Sequence, residues 1–331
     1  MKIGIPGGLL FSRYEQEIRS FFHALQQSRN VEIEYSVETS GEILDLGVRF
    51  CVDEACLPIK VFCGHAAKLA ETCDAVVIPR ILRCEDGSSI CPKFSGLPEL
   101  AARACQGKTM AFTRPLAFDR PGQVLRKVVA SGKELGIPAG TIRKAFRAGV
   151  DAGRNKAKTH SYADGEFGEG RLKILLLGHP YHVHDSFANR DILKKLNRLG
   201  ADVIPGETLD FKSKPSVWDD WMKTPYWNFL RENCQAATLA ANGASLAEKN
   251  RIDGVIYLSS FGCGTDAFTL EFVKELLPDI PLLAVKLDEQ TGEAGLDTRL
   301  EAFCELLERR KLHAIDISSP GRGVSVRQAV I

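Results

Sequence analysis

Short apolar runs rich in β-branched residues alternate along this chain with stretches of helical period. The runs are Lys2–Pro6, Val31–Tyr35, Ala75–Ile78, Thr109–Phe112, Lys173–Leu177, Ala201–Ile204, Gly254–Leu258 and Pro281–Val285. Between the first two, Phe11, Tyr14, Ile18, Phe21, Phe22 and Leu25 recur at the three-four spacing of one helix face. Ile192, Leu193, Leu196 and Leu199 do the same before Gly200, a helix stop. Strand alternating with helix predicts an α/β protein with parallel sheets and crossover helices. At 331 residues the chain is long enough for about two domains, each with its own core.

The order of signals repeats once. KIGIP, a helix and VEIEYS correspond to KILLLGHP, a helix and ADVIPGE. Asp74 leads through an apolar run to Cys84, and Asp253 leads to Cys263 at the same offset. Two Rossmann-like lobes related by internal duplication are therefore expected. Their spans are 1–117 and 171–290, with a helical segment and linker over 118–170 and a C-terminal helix and tail over 291–331. The helical part of the connector centres on Ala139–Val150, and the polar run Thr159–Gly170 reads as the linker.

Lys and Arg total 43 against 42 Asp and Glu, a net charge of +1. Nucleic acid or an anionic membrane would select a basic excess, so neither is an expected partner. No apolar run approaches the ~20 residues of a membrane span, and the first residues lead into a strand rather than a signal segment. The expectation is a cytoplasmic protein.

Ten cysteines, at 51, 56, 63, 73, 84, 91, 105, 234, 263 and 304, include no pair in CxxC spacing. That spacing marks thioredoxin-type pairs, zinc ribbons and ferredoxin-type runs, so these are disfavoured. A cytoplasmic chain is also a poor candidate for five disulfides. Cys51, Cys63, Cys73 and Cys304 fall in helical patterns and read as core packing, as do Cys105 and Cys234. Cys56 precedes Leu57-Pro58 at the expected start of a helix, where free N–H groups favour a thiolate. Cys91 stands before Pro92, with Cys84 in the same loop, and Cys263 lies between Gly262 and Gly264. Ligand crevices in parallel α/β sheets lie beyond the carboxyl ends of the strands. Two lobes facing each other would bring these loops to a common cleft. Three or four thiolates from separate loops suit an iron–sulfur cluster, and they equally suit zinc.

Three of the seven histidines lie in Gly178–His184. No acidic pair stands at ligand spacing beside them, so His179, Tyr181 and His182 read as contacts to a bound group or as a structural loop. After the last strand, Glu289 and Glu293 are carboxylates aimed at the cleft, or else flank a cap at Thr291. Gly4–Gly8 lacks the GxGxxG order, and neither a GxxxxGK[ST] loop nor a GxSxG elbow occurs.

Six blocks, GIPGGLLFSRY, GVRFCVDEACLPIKVFCGH, VVIPRI…CPKFSGLP, ILLLGHPYHVHD, GVIYLSSFGCGTDAF and LDEQTGEAGLDTRLEAF, occur in this order over roughly residues 1–305. Together they resemble the acyl-CoA dehydratase activase-related proteins, which are similar to the cluster-bearing subunits of 2-hydroxyacyl-CoA dehydratases. The resemblance implies two α/β lobes with a cluster between them, most simply [4Fe-4S], held by three cysteines. By motif these are Cys56, Cys91 (with Cys84 as competitor) and Cys263; the extra cysteines leave room for a larger cluster assembly. It also implies a separate ATPase activator as donor of low-potential electrons. The activator's nucleotide motifs are absent here, so this chain would be the electron acceptor. His179, Tyr181, His182 and Glu289 would then surround a small-molecule ligand at the cluster, for a reductase or a dehydratase-like component. The sequence shows nothing diagnostic of acyl-CoA, and a homodimer is left open. A non-catalytic iron–sulfur or zinc protein with a ligand-binding or regulatory role is the alternative.

Overall fold

The computed structural model describes residues 1–9, 11–27, 30–159, 170–209, 225–242 and 251–318. The first half runs β1 (Lys2–Ile5), α1 (Phe11–Gln26), β2 (Glu32–Tyr35), α2 (Gly41–Phe50), α3 (Leu57–Thr72), β3 (Ala75–Val77), β4 (Arg80–Arg83), α4 (Pro92–Ser95), α5 (Leu97–Ala101), β5 (Thr109–Ala111) and β6 (Pro115–Ala117). Two helices follow, α6 (Pro121–Glu134) and α7 (Ala139–Thr159). The second half runs β7 (Leu172–Gly178), α8 (Pro180–Val183), α9 (Ile192–Arg198), β8 (Ala201–Pro205), α10 (Asn228–Asn242), β9 (Gly254–Ser260), α11 (Gly264–Leu276), β10 (Leu282–Leu287) and α12 (Glu293–Ser318).

All eight apolar runs form strands. They build two four-stranded sheets, β2-β1-β3-β5 and β8-β7-β9-β10, with every neighbouring pair parallel. Numbered within each half, both orders read second, first, third, fourth. A strand in such a sheet is covered on both faces, which is why β7 is a continuous apolar run. Ile174 and Leu176 enter one core, and Leu175 and Leu177 enter the core on the opposite face.

The stretch between the sheets is more structured than its composition suggests. The helix expected near Ala139–Val150 extends to Thr159, and α6 precedes it. Val124, Val128, Ile142 and Phe146 from these helices complete the apolar core over Ile3 and Ile5 of β1. A further pair, β4 and β6, forms a small parallel sheet of its own. Residues 160–169 of the expected linker and 319–331 of the expected tail lie outside the described residues. Among the described residues, no helix is long and apolar enough to cross a membrane.

Side chains tie the two halves together. Arg13 on α1 makes a two-pronged ion pair with Glu232 on α10, at 2.6 and 2.7 Å. The Thr39 hydroxyl donates to Asp185 Oδ2 at 2.7 Å, so it can only accept from His65 Nε2 at 3.0 Å. That fixes His65 as the neutral Nε2–H tautomer, and burial lowers its pKa from 6.5 to about 4. The unfolded chain takes up this proton near pH 6.5 and the folded chain only near 4. The stability from keeping His65 neutral is therefore complete above pH 6.5 and is lost as pH falls, by about 2 kcal/mol at pH 5 and about 3 kcal/mol below pH 4. Denaturant midpoints at pH 7 and pH 5 should diverge less in His65→Gln than in the wild type by that amount. Equal divergence would refute the assignment.

Candidate functional site

In both sheets the chain leaves the first strand toward one side and returns to place the third strand on the other. The loops after β1 and β3, and after β7 and β9, therefore flank a switch point, where such folds hold ligands. Leu9, Cys91, Tyr181 and Cys263 come from these four segments and line one small cavity together with Cys56. Gly262, at φ +72, makes the turn that presents Cys263. A side chain at Gly262 would be strained by that φ and would lie 3.4 Å from the Glu54 carbonyl of the segment carrying Cys56.

Each of the three cysteines is the N-cap of a helix: Cys56 of α3, Cys91 of α4 and Cys263 of α11. Proline in the first turn starts α3 and α4, as it does α8 after its N-cap His179. The backbone N–H groups of Lys93 and Asp266 reach the Cys91 and Cys263 sulfurs, and the Thr265 hydroxyl lies 3.2 Å from Cys263 Sγ. Burial still dominates. It pushes the Cys91 thiol up, and it takes Cys263 to about 12 with Asp266 adding to the effect. Without a cation the site keeps these cysteines as thiols.

Behind the cavity lies a buried polar chain. Asp266 is 1% exposed; its Oδ1 is 2.8 Å from His179 Nε2 and accepts from Tyr257 at 2.9 Å. Burial alone would raise this carboxyl, but His179, His182 and the Tyr257 hydroxyl override it and hold Asp266 at about 2. The ionised Asp266 accepts a hydrogen bond from the His179 Nε2–H. The His179 Nδ1, on the other side of the ring, is hydrogen-bonded to the Tyr181 hydroxyl. His182 is bonded to Ser260 Oγ at 2.6 Å, and burial lowers its pKa to about 4. One ligand atom each from His179, Cys263 and Asp266 lies within 4.8 Å of the others, a possible metal-binding group.

The sequence-derived candidates thus separate. Cys56, Cys91, Cys263 and Tyr181 meet at the cavity. His179 and His182 stand behind it. Glu289 is paired with Lys60 Nζ at 2.5 Å, and Lys60 also donates to the Asp53 carbonyl at 3.0 Å. Cys84 lies apart, in a turn closed by its N–H on the Ser88 carbonyl and beside Arg13, because β4 carries the chain away after β3. The equal Asp-to-Cys offset pairs Cys84 with Cys263, whereas the cavity takes Cys91.

Residues 2–209 match the family model described as the CoA enzyme activase uncharacterised domain, and residues 141–307 match that of the 2-hydroxyglutaryl-CoA dehydratase, D-component. The chain belongs to this activase-related, dehydratase-like family. No curated protein matches the sequence. Cys56 and Cys91 fall only within the first match and Cys263 only within the second. The cavity joins residues from both.

Two side chains at the site carry no sequence signal of their own. Asp266 is the third residue of α11, and its meaning comes from His179 on another strand's loop. Lys60 reads as a helix surface residue until α3 buries it to 3% exposure.

Proposed function

We propose that this protein holds an iron–sulfur cluster, most simply [4Fe-4S], on Cys56, Cys91 and Cys263, and uses it to act on a small ligand with electrons from an ATP-dependent activator. The observation that carries this reading is three cysteines from three separate helix N-termini lining one cavity. The donor chemistry fits: the sulfurs are soft ligands, and burial among Leu9, Ile59 and Phe94 outweighs the nearby N–H groups and disfavours a bare thiolate. A bound cluster would supply one-electron transfer and, with three protein ligands, an iron accessible to a small molecule.

The chain's own residues have distinct tasks in this reading. The helix N-termini neutralise part of the thiolate charge. Tyr181 borders the cavity, and the Asp266–His179 pair fixes its hydroxyl, so it presents an oriented oxygen to whatever enters. Lys60 holds the Asp53 carbonyl and Glu289 together and so braces the segment before Cys56.

A second reading, a single zinc ion, draws support from the His179, Cys263 and Asp266 group. Anaerobic purification with iron, sulfide and zinc analysis separates the two. The expected result is coloured protein with near-equal iron and sulfide, reduced by dithionite or by an ATPase activator with ATP and not by NAD(P)H. Zinc alone, or colourless metal-free protein, would remove the cluster reading. Direct reduction by NAD(P)H would remove the external donor.

A further inference from the structure

Two cysteines outside the cavity, Cys51 and Cys63, pack in the same part of the core and influence each other's charge. Helices α2 and α3 cross antiparallel at two glycines: a Cβ on Gly47 would collide with the Lys60 carbonyl, and one on Gly64 with the Ile43 carbonyl. This close approach sets Cys51, the C-cap of α2, against α3. Its Sγ lies 4.0 Å from the Ile59 carbonyl, one turn before Cys63, whose own thiol donates to the Leu100 carbonyl at 4.0 Å, and the two sulfurs are near enough to shift each other's pKa. Cys51 is half-buried and Cys63 fully buried, so only the first is within reach of a solute.

We infer that Cys51 and Cys63 form a redox-active pair that hydrogen peroxide converts to a disulfide, with Cys51 reacting first and Cys63 resolving. The Cys51 thiolate attacks peroxide: an S–O bond forms, the O–O bond breaks, and hydroxide leaves as water after taking a proton. The Cys63 thiol then attacks the sulfenic sulfur. The S–S bond forms, the S–O bond breaks, and the hydroxyl leaves with the Cys63 proton as a second water. In sum, two thiols give up two electrons to one peroxide.

The electrostatics favour this order. The Cys63 thiol lowers the Cys51 pKa; burial opposes this and Lys60 adds to it, while the neighbouring Cys51 sulfur and burial push Cys63 up. Neither cysteine lines the cavity, so the pair stands independently of the metal reading. The disulfide would, however, close a ring around the segment that presents Cys56.

The test treats anaerobically isolated protein, with its metal content intact, with a few equivalents of hydrogen peroxide. Free thiols are then blocked with iodoacetamide and the protein is digested with trypsin. Cys51 and Cys56 share the peptide Phe50–Lys60, and Cys63 lies in Val61–Lys68. The expected product is these two peptides linked, with Cys56 carbamidomethylated and the mass two hydrogens below the sum of the peptides carrying Cys51 and Cys63 as free thiols. It should be reversed by dithiothreitol, absent in Cys51→Ser and retained in Cys56→Ser. Fragmentation of the linked wild-type peptide assigns the sulfur independently of how the variants fold. No linked peptide, or a link through Cys56 that survives in Cys51→Ser, would overturn the inference.

Discussion

Replacing Cys56, Cys91 or Cys263 by Ala should each lower bound iron by about tenfold or more, because even the groups that only orient metal ligands are worth about 10–100-fold. The three cysteines sit on different helices, so no neighbouring sulfur stands ready as a substitute. Cys84→Ala should keep its iron: that thiol faces Arg13, and burial pushes it up to about 12. Cys304→Ala should also keep its iron and lose only packing stability, since Cys304 belongs to the core under α12. Iron and sulfide analysis with EPR after reduction reads all five proteins. Full iron and an unchanged signal in the Cys56, Cys91 and Cys263 variants would end the assignment. Loss of iron from Cys84→Ala would bring that cysteine back as a ligand.

Local pattern carries the architecture, and geometry between distant segments carries the site. The central strands are legible because a strand covered on both faces must be apolar throughout, as in Ile174–Leu177, and the edge strand β2 because Ile33 and Tyr35 alternate with Glu32 and Glu34. Cys56 and Cys91 are legible because proline in a helix's first turn marks the residue before it. The sheet of β4 and β6 is not legible: its strands are three and four residues long, and Arg80, Arg83 and Pro115 interrupt any period. Helix α6 hides in a basic, glycine-bearing stretch, although Val124 and Val128 stand one turn apart on its buried face. Asp266 is invisible for a different reason. An aspartate in the first turn of a helix is ordinarily a solvated partner of the helix dipole, and nothing local says that His179 will be folded against this one.

Gly64→Ala tests how tightly the fold controls the cavity, and two opposing terms decide its sign. Alanine in a helix interior is favoured over glycine by about 1 kcal/mol. At Gly64 that gain meets a collision with the Ile43 carbonyl, backbone of a packed helix rather than the far end of a flexible side chain. Forcing extra volume into such a contact costs about 3 kcal/mol or more, so the variant should be destabilised by about 2 kcal/mol or more net. Gly47→Ala should behave alike, since its Cβ meets the Lys60 carbonyl across the same crossing. Gly140→Ala, a helical site with open space around it, should be neutral or stabilised by up to about 1 kcal/mol. The Gly64 wedge also pushes α3 away from α2, and α3 carries Cys56 at its N-terminus. Bound iron should therefore fall in Gly64→Ala below the level in Gly140→Ala, at a temperature where both remain folded. Equal thermal midpoints for the Gly64 and Gly140 variants would mean the two helices separate at little cost, and the crossing would then not position Cys56.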